Sequence, residues 1–294
     1  MSTLETNSIG KYSGDNVSID DSLNLKSYTT TQRDALTSVA GDIIYNSTLG
    51  KPQFYNGTSW SDFDASFTVS YVLIGGGGGS TGGISGVSFG SGGSGAILST
   101  GTVTAKTGIS FSTTVGAGGA GVSNSGGNAS NGGSSTFYTQ TGNNYGVGAT
   151  GSSQTGPSTV DSSFTGGTGS GNSGGGGAGA GANGSGDDGG AGDTTSITGS
   201  SQTFGGGGGG GPSGTGGTGG GGNAYNDGTA NTGGGAGGVG VGSAVENGGS
   251  GRIYLLYPDT YTISNTGMTI TETDRGDGYK YADITAGTGT VSWS

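Results

Sequence analysis

Apolar and polar positions alternate at short range near the start of the chain. The segments 41–46 and 53–60 are rich in β-branched and aromatic residues, and Gly50-Lys51-Pro52 and Asn56-Gly57 supply turn residues. Segment 67–74 alternates at first and is then continuously apolar. These patterns predict short strands, with one helical turn at 31–36 before them. We therefore predict a small N-terminal β-module over residues 1–70.

The C-terminal part has the same short-range pattern. Segment 252–257 is strongly apolar, and four short strands are predicted after it, separated by turns at 265–267 and 274–278. The predicted strands are 261–263, 268–271, 279–284 and 290–293. We therefore expect residues 259–294 to form a separate small β-segment.

Between these parts, over residues 71–258, apolar residues are sparse and glycine dominates. Apolar positions between Ile97 and Val115 predict a β-hairpin that turns near 104–108. Collagen is excluded, because glycine does not recur at every third residue and the chain has only 4 prolines. A flexible linker is the alternative, since Gly/Ser tracts usually behave as coil. The glycine runs lie at 75–79, 116–121, 174–181, 205–211, 219–222 and 233–238.

The ordered structure that fits these runs is a bundle of polyglycine-II helices. Such a helix has three residues per turn and no internal hydrogen bonds, so its N–H and C=O groups must pair with neighbouring helices. Close approach of the backbones requires glycine at the facing positions. We therefore predict a mostly irregular and β fold with this bundle at its centre, β-hairpin insertions and almost no α-helix.

Composition removes several kinds of chemistry. Glycine accounts for 78 of 294 residues, and the chain has no cysteine and no histidine. Disulfides, thiolate metal sites and Ser-His-Asp triads are thereby excluded. With a net charge of −11, nucleic acid and anionic lipid are disfavoured partners. The apolar runs are too short to span a bilayer and no signal peptide is recognised, so we expect no membrane insertion and no export by that route.

The residues Gly41–Thr48 and Phe54–Trp60 resemble a module that is common in phage tail-fibre proteins. Three glycine-rich stretches, 115–121, 228–235 and 248–258, are similar to the glycine-rich domains of those proteins and of the tip adhesins of T-even-like phages. The resemblance implies a non-enzymatic structural protein of the virion tail, made in the host cytoplasm. It also implies other virion tail proteins as partners, and a bacterial surface glycan or outer-membrane protein as receptor.

The aromatic residues in loop-like segments are the candidate contacts. Phe and Tyr occur at Tyr138, Tyr145, Phe164, Phe204 and Tyr225, and exposed aromatic side chains are good binding anchors. We place the irregular segments 138–165 and 193–204 at the end farthest from the N-terminal module, so the predicted receptor contacts are Tyr138, Tyr145, Phe164 and Phe204. The predicted attachment residues are Tyr45, Tyr55 and Trp60. We expect a homo-oligomer, with a trimer favoured, or a monomeric fibre tip.

Alternative functions remain open at this point. The same scaffold could serve an ice-binding or extracellular matrix-type protein, and an ice binder should present a flat, regular face of Thr or Ala. A fibre-borne glycosidase would need paired carboxylates in a cleft. Asp187, Asp188 and Asp193 could ligate calcium, although a solvated acidic loop is the simpler interpretation. We expect no cofactor, no metal and no catalytic residue.

Overall fold

The chain forms two compact units, residues 1–65 and 66–294, and each is described by itself. In this computed structural model the described residues are 24–63, 66–83, 89–123, 127–138, 140–142, 155–159 and 163–294. Their secondary structure is almost entirely β, with one short helix among them, as the sequence predicts.

The N-terminal unit is a four-stranded sheet with one helix beside it. Its elements are β1 Ser27–Tyr28, α1 Thr30–Asp34, β2 Ile43–Asn46, β3 Lys51–Tyr55 and β4 Trp60–Asp62, and the strand order is β1-β2-β3-β4. Strand β1 is parallel to β2, and the other pairs are antiparallel. Helix α1 begins with a capping box between Thr29 and Gln32, which satisfies backbone N–H groups at its start. The predicted strand at 41–46 is confirmed as β2, whereas the predicted strand at 53–60 is divided by a turn into the end of β3 and the start of β4.

The second unit contains one large sheet and a two-stranded hairpin. Its strands are β5 Ser66–Ile74, β6 Leu98–Lys106, β7 Phe111–Thr114, β8 Ser135–Phe137, β9 Gln140–Gly142, β10 Asp193–Thr195, β11 Gln202–Phe204, β12 Arg252–Pro258, β13 Ile263–Asp274 and β14 Tyr279–Trp293. The order in the large sheet is β6-β5-β12-β14-β7-β8-β9, and β13 also pairs with β14. Strands β10 and β11 form the hairpin.

Two sequence predictions about this sheet are corrected. Strands β6 and β7 do not pair with each other as a hairpin, because β6 pairs with β5 and β7 pairs with β14. In place of the four predicted C-terminal strands, the structure has two long strands, β13 and β14. Their pairing shifts register between Thr266 and Met268, so the predicted turn at 265–267 is a bulge. Since β14 lies between β12 and β7, residues 259–294 belong to the same sheet and are not a separate segment.

One face of the sheet buries a conventional apolar core. The side chains of Phe67, Tyr71, Phe111, Phe137 and Trp293 are buried together with aliphatic residues of β5, β12 and β14. The rings of Phe111, Phe137 and Tyr257 make edge contacts with Trp293 at centroid distances of 5.5, 6.4 and 5.6 Å. Burial of these side chains supplies the hydrophobic stabilisation of the sheet.

The glycine-rich segments of this unit form a bundle of extended chains, which we call the glycine bundle. Successive residues of one segment donate hydrogen bonds to three different neighbours in rotation. Residues i and i+3 donate to the same neighbour: Gly76 and Gly79 to 130–133, Gly77 and Ser80 to 246–249, and Gly78 and Thr81 to 91–94. A repeat of three is the period of polyglycine II, so the predicted helix type is confirmed.

Segment 205–211 follows the same rule. Its N–H groups donate in threefold rotation: Gly206 and Gly209 to Gly219 and Gly222, Gly207 and Gly210 to Gly190 and Asp187, and Gly208 and Gly211 to Gly93 and Gly90. The N···O distances run from 2.7 to 3.1 Å. These bonds between helices satisfy backbone groups that are buried away from water.

The interior of the glycine bundle is mostly glycine, with a few small side chains among the glycine runs. Segments 75–83, 90–96, 174–180, 204–211 and 233–240 are buried throughout. A Cβ added to Gly76 would lie 1.9 Å from the Ala117 carbonyl oxygen, and one added to Gly208 would lie 1.9 Å from that of Ala236. The helices are therefore packed at the spacing that only glycine permits.

The helices run back and forth between two ends. The chain enters the bundle from β5 at Ile74 and returns to the sheet at β6, β8 and β12. We call the end of the bundle at which these connections lie the sheet end. Segment 90–96 is antiparallel to 233–239, because Gly90, Gly93 and Ala96 donate to Val239, Ala236 and Gly233. The opposite ends of the helices form what we call the far end, which includes Gly83, Phe89 and the turns at 211–214, 223–226 and 239–246.

Candidate functional site

The hairpin β10–β11 lies at the sheet end, which corrects the prediction that segment 193–204 is distal. Phe204 is only 3% exposed and packs with Val72, Ile74 and Tyr254 on the outer face of the sheet. The Tyr254 hydroxyl donates to Gln202 at 2.9 Å, and these contacts hold the hairpin on the sheet. Phe204 is therefore a core residue and is not placed to contact a receptor.

Tyr138 also belongs to the sheet end. It follows β8, its N–H donates to the Ser112 carbonyl at 2.7 Å, and its exposed ring packs edge-on against Phe111. Phe164 is half-buried in a different turn, where its carbonyl accepts from the N–H of Thr159. Tyr145 lies outside the described residues. The described members of the predicted receptor set are therefore not gathered at the far end.

The far end carries a different apolar group, Phe89, Tyr225 and Val241, which we call the far-end patch. Tyr225 and Val241 are exposed, and Phe89 is half-buried. Tyr225 and Phe89 flank Gly240: a Cβ added there would lie 3.2 Å from the Tyr225 hydroxyl oxygen and 3.3 Å from the Phe89 ring, and Val241 is the next residue in the chain. Phe89 and Gly240 also form a β-bridge. The close-packed backbone thus brings two aromatic side chains from distant parts of the chain to Gly240, beside the exposed Val241.

Tyr225 is held in an unusual backbone conformation. Its φ is +65°, in the left-handed region, and its N–H donates to the Gly238 carbonyl at 3.1 Å. A non-glycine residue with positive φ is uncommon and persists only where its surroundings fix it. The sequence identified Tyr225 as a loop aromatic but gave no reason to place it at the far end. Phe89 was missed, because the turn order of the bundle is not visible in the chain.

Two carboxyl groups at this end are paired. Burial, a hydrogen bond with Asp227 and the charge of Asp227 raise the pKa of the Glu246 carboxyl. The Asp227 carboxylate also accepts from the N–H of Asn247 at 2.6 Å. Glycosidase carboxyls are separated by about 5 Å or more so that a sugar fits between them, whereas these two are hydrogen-bonded. Their arrangement does not match that requirement.

The acids considered as calcium ligands are separated. The Asp188 carboxylate accepts from the N–H and the hydroxyl of Thr215, both at 2.8 Å, and these bonds lower its pKa. Asp193 instead begins β10 at the sheet end, whereas segment 187–188 lies near the far end. Among the described residues no group of three acidic, histidine or cysteine side chains could hold a metal ion.

The two faces of the N-terminal sheet differ in character. On one face Ile43 and Tyr45 are exposed, and their cross-strand partners are Phe54 and Pro52. Phe63, also exposed, stacks at a tilt on Phe54 with ring centroids 5.2 Å apart. We call this face, defined by Ile43, Tyr45, Phe54 and Phe63, the apolar face.

The other face carries polar side chains under helix α1. Buried Asn46 donates to Gln53 at 2.9 Å, and Gln53 donates to Asp62 at 2.6 Å. Hydrogen bonds from Lys51 and Gln53 lower the pKa of the Asp62 carboxyl. Tyr55 and Trp60 lie on this side, so the three predicted attachment residues are divided between two faces.

Comparison with known proteins gives one match. A family model described as a glycine-rich domain matches residues 54–258. No curated protein and no solved structure matches the chain. Within the described part of the chain, no helix has the length and apolar character needed to cross a membrane.

Proposed function

The chain belongs to the glycine-rich domain family, and from this premise we propose that it is a non-enzymatic phage tail fibre or fibre-tip adhesin that binds a bacterial surface receptor. The resemblance of segments 41–48 and 54–60 to a tail-fibre module supports the virion assignment. The proposed partners are other virion tail proteins and a surface glycan or outer-membrane protein of the host.

The far-end patch is the observation that carries the receptor-binding proposal. Phe89, Tyr225 and Val241 lie on or next to backbone that is fixed by the hydrogen bonds of the glycine bundle and by the bridge between Phe89 and Gly240. A rigid aromatic anchor loses little conformational entropy when it binds, which favours it as a contact residue. The bundle thus acts as a stiff support, and its turns supply the contact surface.

The apolar face of the N-terminal unit is the proposed attachment surface. Exposed Ile43, Tyr45 and Phe63 lie on or beside one sheet face, and a permanent protein–protein contact favours such apolar surface. The proposal keeps Tyr45 as an attachment residue. Tyr55 and Trp60 lie on the opposite side of the sheet and are not part of this surface.

The test is adsorption of particles that carry variant protein. Tyr225→Ala combined with Val241→Ser should abolish adsorption to host cells while assembly stays intact, because both side chains are exposed. Tyr138→Ala, an exposed aromatic at the sheet end, is the matched control and should adsorb normally. Tyr45→Asp should instead reduce incorporation into particles. Normal adsorption of the Tyr225/Val241 variant would contradict the receptor assignment.

One observation favours the ice-binding alternative as a second candidate. Thr100, Thr102 and Thr104 are exposed along β6, with Thr68 opposite Thr104 and Ser70 opposite Thr102 on β5. This is a regular hydroxyl-bearing face of the kind that an ice binder would present. The tail-fibre-like module over 41–60 and the irregular aromatic turns have no place in that function.

A thermal hysteresis measurement separates the two candidates. Under the adhesin proposal, the purified protein gives no freezing-point hysteresis, and Thr102→Lys leaves adsorption unchanged. Hysteresis that is present in the parent and lost in Thr102→Lys would establish ice binding instead.

A further inference from the structure

A cavity of about 340 Å³ lies in the N-terminal unit, on the side of the sheet that carries helix α1. Its wall combines aromatic rings, a guanidinium group, a carboxylate and several hydroxyls. The lining residues are Arg33, Asp34, Leu36, Ser38, Tyr55, Thr58, Ser59 and Trp60. The volume is at the lower end of the range for small-molecule sites, so it suits one small ring better than an extended ligand.

Two aromatic rings form one side of the cavity. Tyr55 and Trp60 are cross-strand partners on β3 and β4, and their ring centroids are 5.5 Å apart with an interplanar angle of 59°. Both side chains are half-buried, so parts of the rings remain accessible. Rings fixed by strand pairing offer a preformed apolar surface to a flat ligand face.

Arg33 forms a rigid polar part of the wall. Its Nε and Nη2 donate to the Asp34 carboxylate at 2.9 and 2.7 Å, and its Nη1 donates to the Gln53 side-chain oxygen at 2.8 Å. The Arg33 side chain is only 14% exposed. Three of its five N–H donors are occupied by these bonds, and Asp34 balances its charge.

Ser38 contributes a hydroxyl whose oxygen is buried and has no hydrogen-bond partner. A buried hydroxyl without a partner costs free energy. Rotation of the Ser38 side chain toward the cavity would let a bound ligand hydrogen-bond to it and remove that cost. The Tyr55, Thr58 and Ser59 hydroxyls, also in the lining, add groups that both donate and accept. The cavity therefore offers many neutral hydrogen-bonding groups beside an aromatic surface.

We propose that this cavity binds a single neutral sugar ring. The C–H face of a pyranose packs on the Tyr55–Trp60 pair, and its hydroxyls take hydrogen bonds from Arg33 and with Ser38. An anion is disfavoured, because Asp34 neutralises Arg33 and the chain carries a net charge of −11. A purely apolar ligand would leave the polar wall unsatisfied. The site is separate from the far-end patch and does not depend on the proposed receptor contact.

The chain supplies its own reporter for this site. It has 2 tryptophans, and Trp293 is buried in the core of the large sheet, so a fluorescence change on adding a small sugar reports on Trp60. The full-length protein is titrated with glucose, galactose, mannose and N-acetylglucosamine, each separately. We expect at least one of them to change the fluorescence saturably, with a dissociation constant of about 1 mM, as a weak single-ring site would give.

Variants locate the binding site. In variants that lack Trp60, binding is followed by ligand-observed NMR. Trp60→Ala should weaken binding at least about tenfold, and Ser38→Ala should weaken it about fivefold through one lost hydrogen bond. Phe63→Ala, which removes an aromatic ring from the apolar face of the same unit, is the matched control and should bind like the parent. If Trp60→Ala fails to fold, Trp60→Phe is used in its place. This variant keeps a ring and should retain binding.

Three results would overturn the proposal. The first is no saturable signal with any of the four sugars at about 50 mM, well above the expected dissociation constant. The second is sugar binding that Trp60→Ala and Ser38→Ala both leave unchanged. The third is binding of inorganic phosphate or free tyrosine in place of sugars. A negative result leaves the far-end adsorption test untouched, because that test uses Tyr225 and Val241.

Discussion

The large sheet and the glycine bundle are two halves of one unit, yet they bury different groups away from water. The sheet buries aromatic and aliphatic side chains around Trp293. The bundle buries mainly backbone, because its interior segments are mostly glycine with a few Ala, Ser, Thr and Val side chains. The sheet is therefore stabilised by the hydrophobic effect, whereas the bundle depends on a dense network of backbone hydrogen bonds.

This difference predicts opposite sensitivities to mutation. Removing side-chain volume should damage the sheet, because a cavity forms where contacts were made. Adding side-chain volume should damage the bundle, because a Cβ would separate helices and break several hydrogen bonds together. Fixing glycine costs more conformational entropy than fixing other residues, so the bundle needs nearly all of those bonds.

The largest effect is expected for Gly208→Val in the bundle. The new Cβ would lie 1.9 Å from the Ala236 carbonyl oxygen, and each N–H left unsatisfied costs about 1–3 kcal/mol. We expect a loss of about 4 kcal/mol or more in the free energy of unfolding, measured by chemical denaturation.

The matched control adds volume on the outward side of a bundle helix. Ala120 is exposed, and Ala120→Val should change stability by no more than about 0.5 kcal/mol. If Gly208→Val were as stable as Ala120→Val, tight packing of the bundle would be refuted.

The next largest effect is expected for Trp293→Ala in the sheet. Large-to-small changes at buried aromatic residues cost about 3–5 kcal/mol, and Trp293 contacts Phe111, Phe137 and Tyr257. Denaturant unfolding measures the loss, and Tyr279→Ala, at an exposed position of the same strand, should have little effect. A small loss for Trp293→Ala would mean that the bundle alone holds the unit together.

The smallest effect concerns two glutamates with opposite pH dependence. Burial alone would raise the pKa of Glu272 in the sheet, but hydrogen bonds from Tyr257, Ile263 and Lys280 lower it overall. Its contribution to stability is present above the unfolded value near 4.5 and is lost as pH falls below it. At Glu246 in the bundle the pKa is raised, so its contribution is complete below 4.5 and is lost as pH rises through the folded value.

Thermal unfolding between about pH 3 and pH 7 tests this contrast. Glu272→Gln should reduce the loss of stability on the acid side, and Glu246→Gln should raise stability near neutral pH, each by less than about 1 kcal/mol. If Glu272→Gln and Glu246→Gln shifted the pH dependence of stability in the same direction, the opposite pKa shifts of the two glutamates would be contradicted.

Much of the local structure could be predicted from the sequence, whereas the partners of each strand could not. The run Phe67–Ile74 predicted β5, but nothing local indicated that its neighbours are β6 and β12. The apolar stretch between 97 and 115 suggested a hairpin, because adjacent strands usually pair. Here β7 lies next to β14, whose residues come more than 160 positions later in the chain, from Tyr279 on.

The candidate sites show the same limit. Loop aromatics were recognised by their residue type, yet an aromatic residue in a Gly/Ser-rich segment is compatible with both burial and exposure. Phe204 is buried because the hairpin β10–β11 folds back onto Val72 and Tyr254, a contact between distant parts of the chain. Tyr225 lies in a turn at the far end and is exposed.

The sequence by itself determined the polyglycine helix, since only glycine permits that backbone spacing, and it determined the absence of histidine and cysteine chemistry. Only the tertiary structure decided which turns meet at the far end and which face of the N-terminal sheet holds a cavity. The physical reason is that helix type follows from the sterics of each residue. The position of a turn depends on which neighbours its helix bonds to, and a glycine run offers the same N–H and C=O groups to every neighbour.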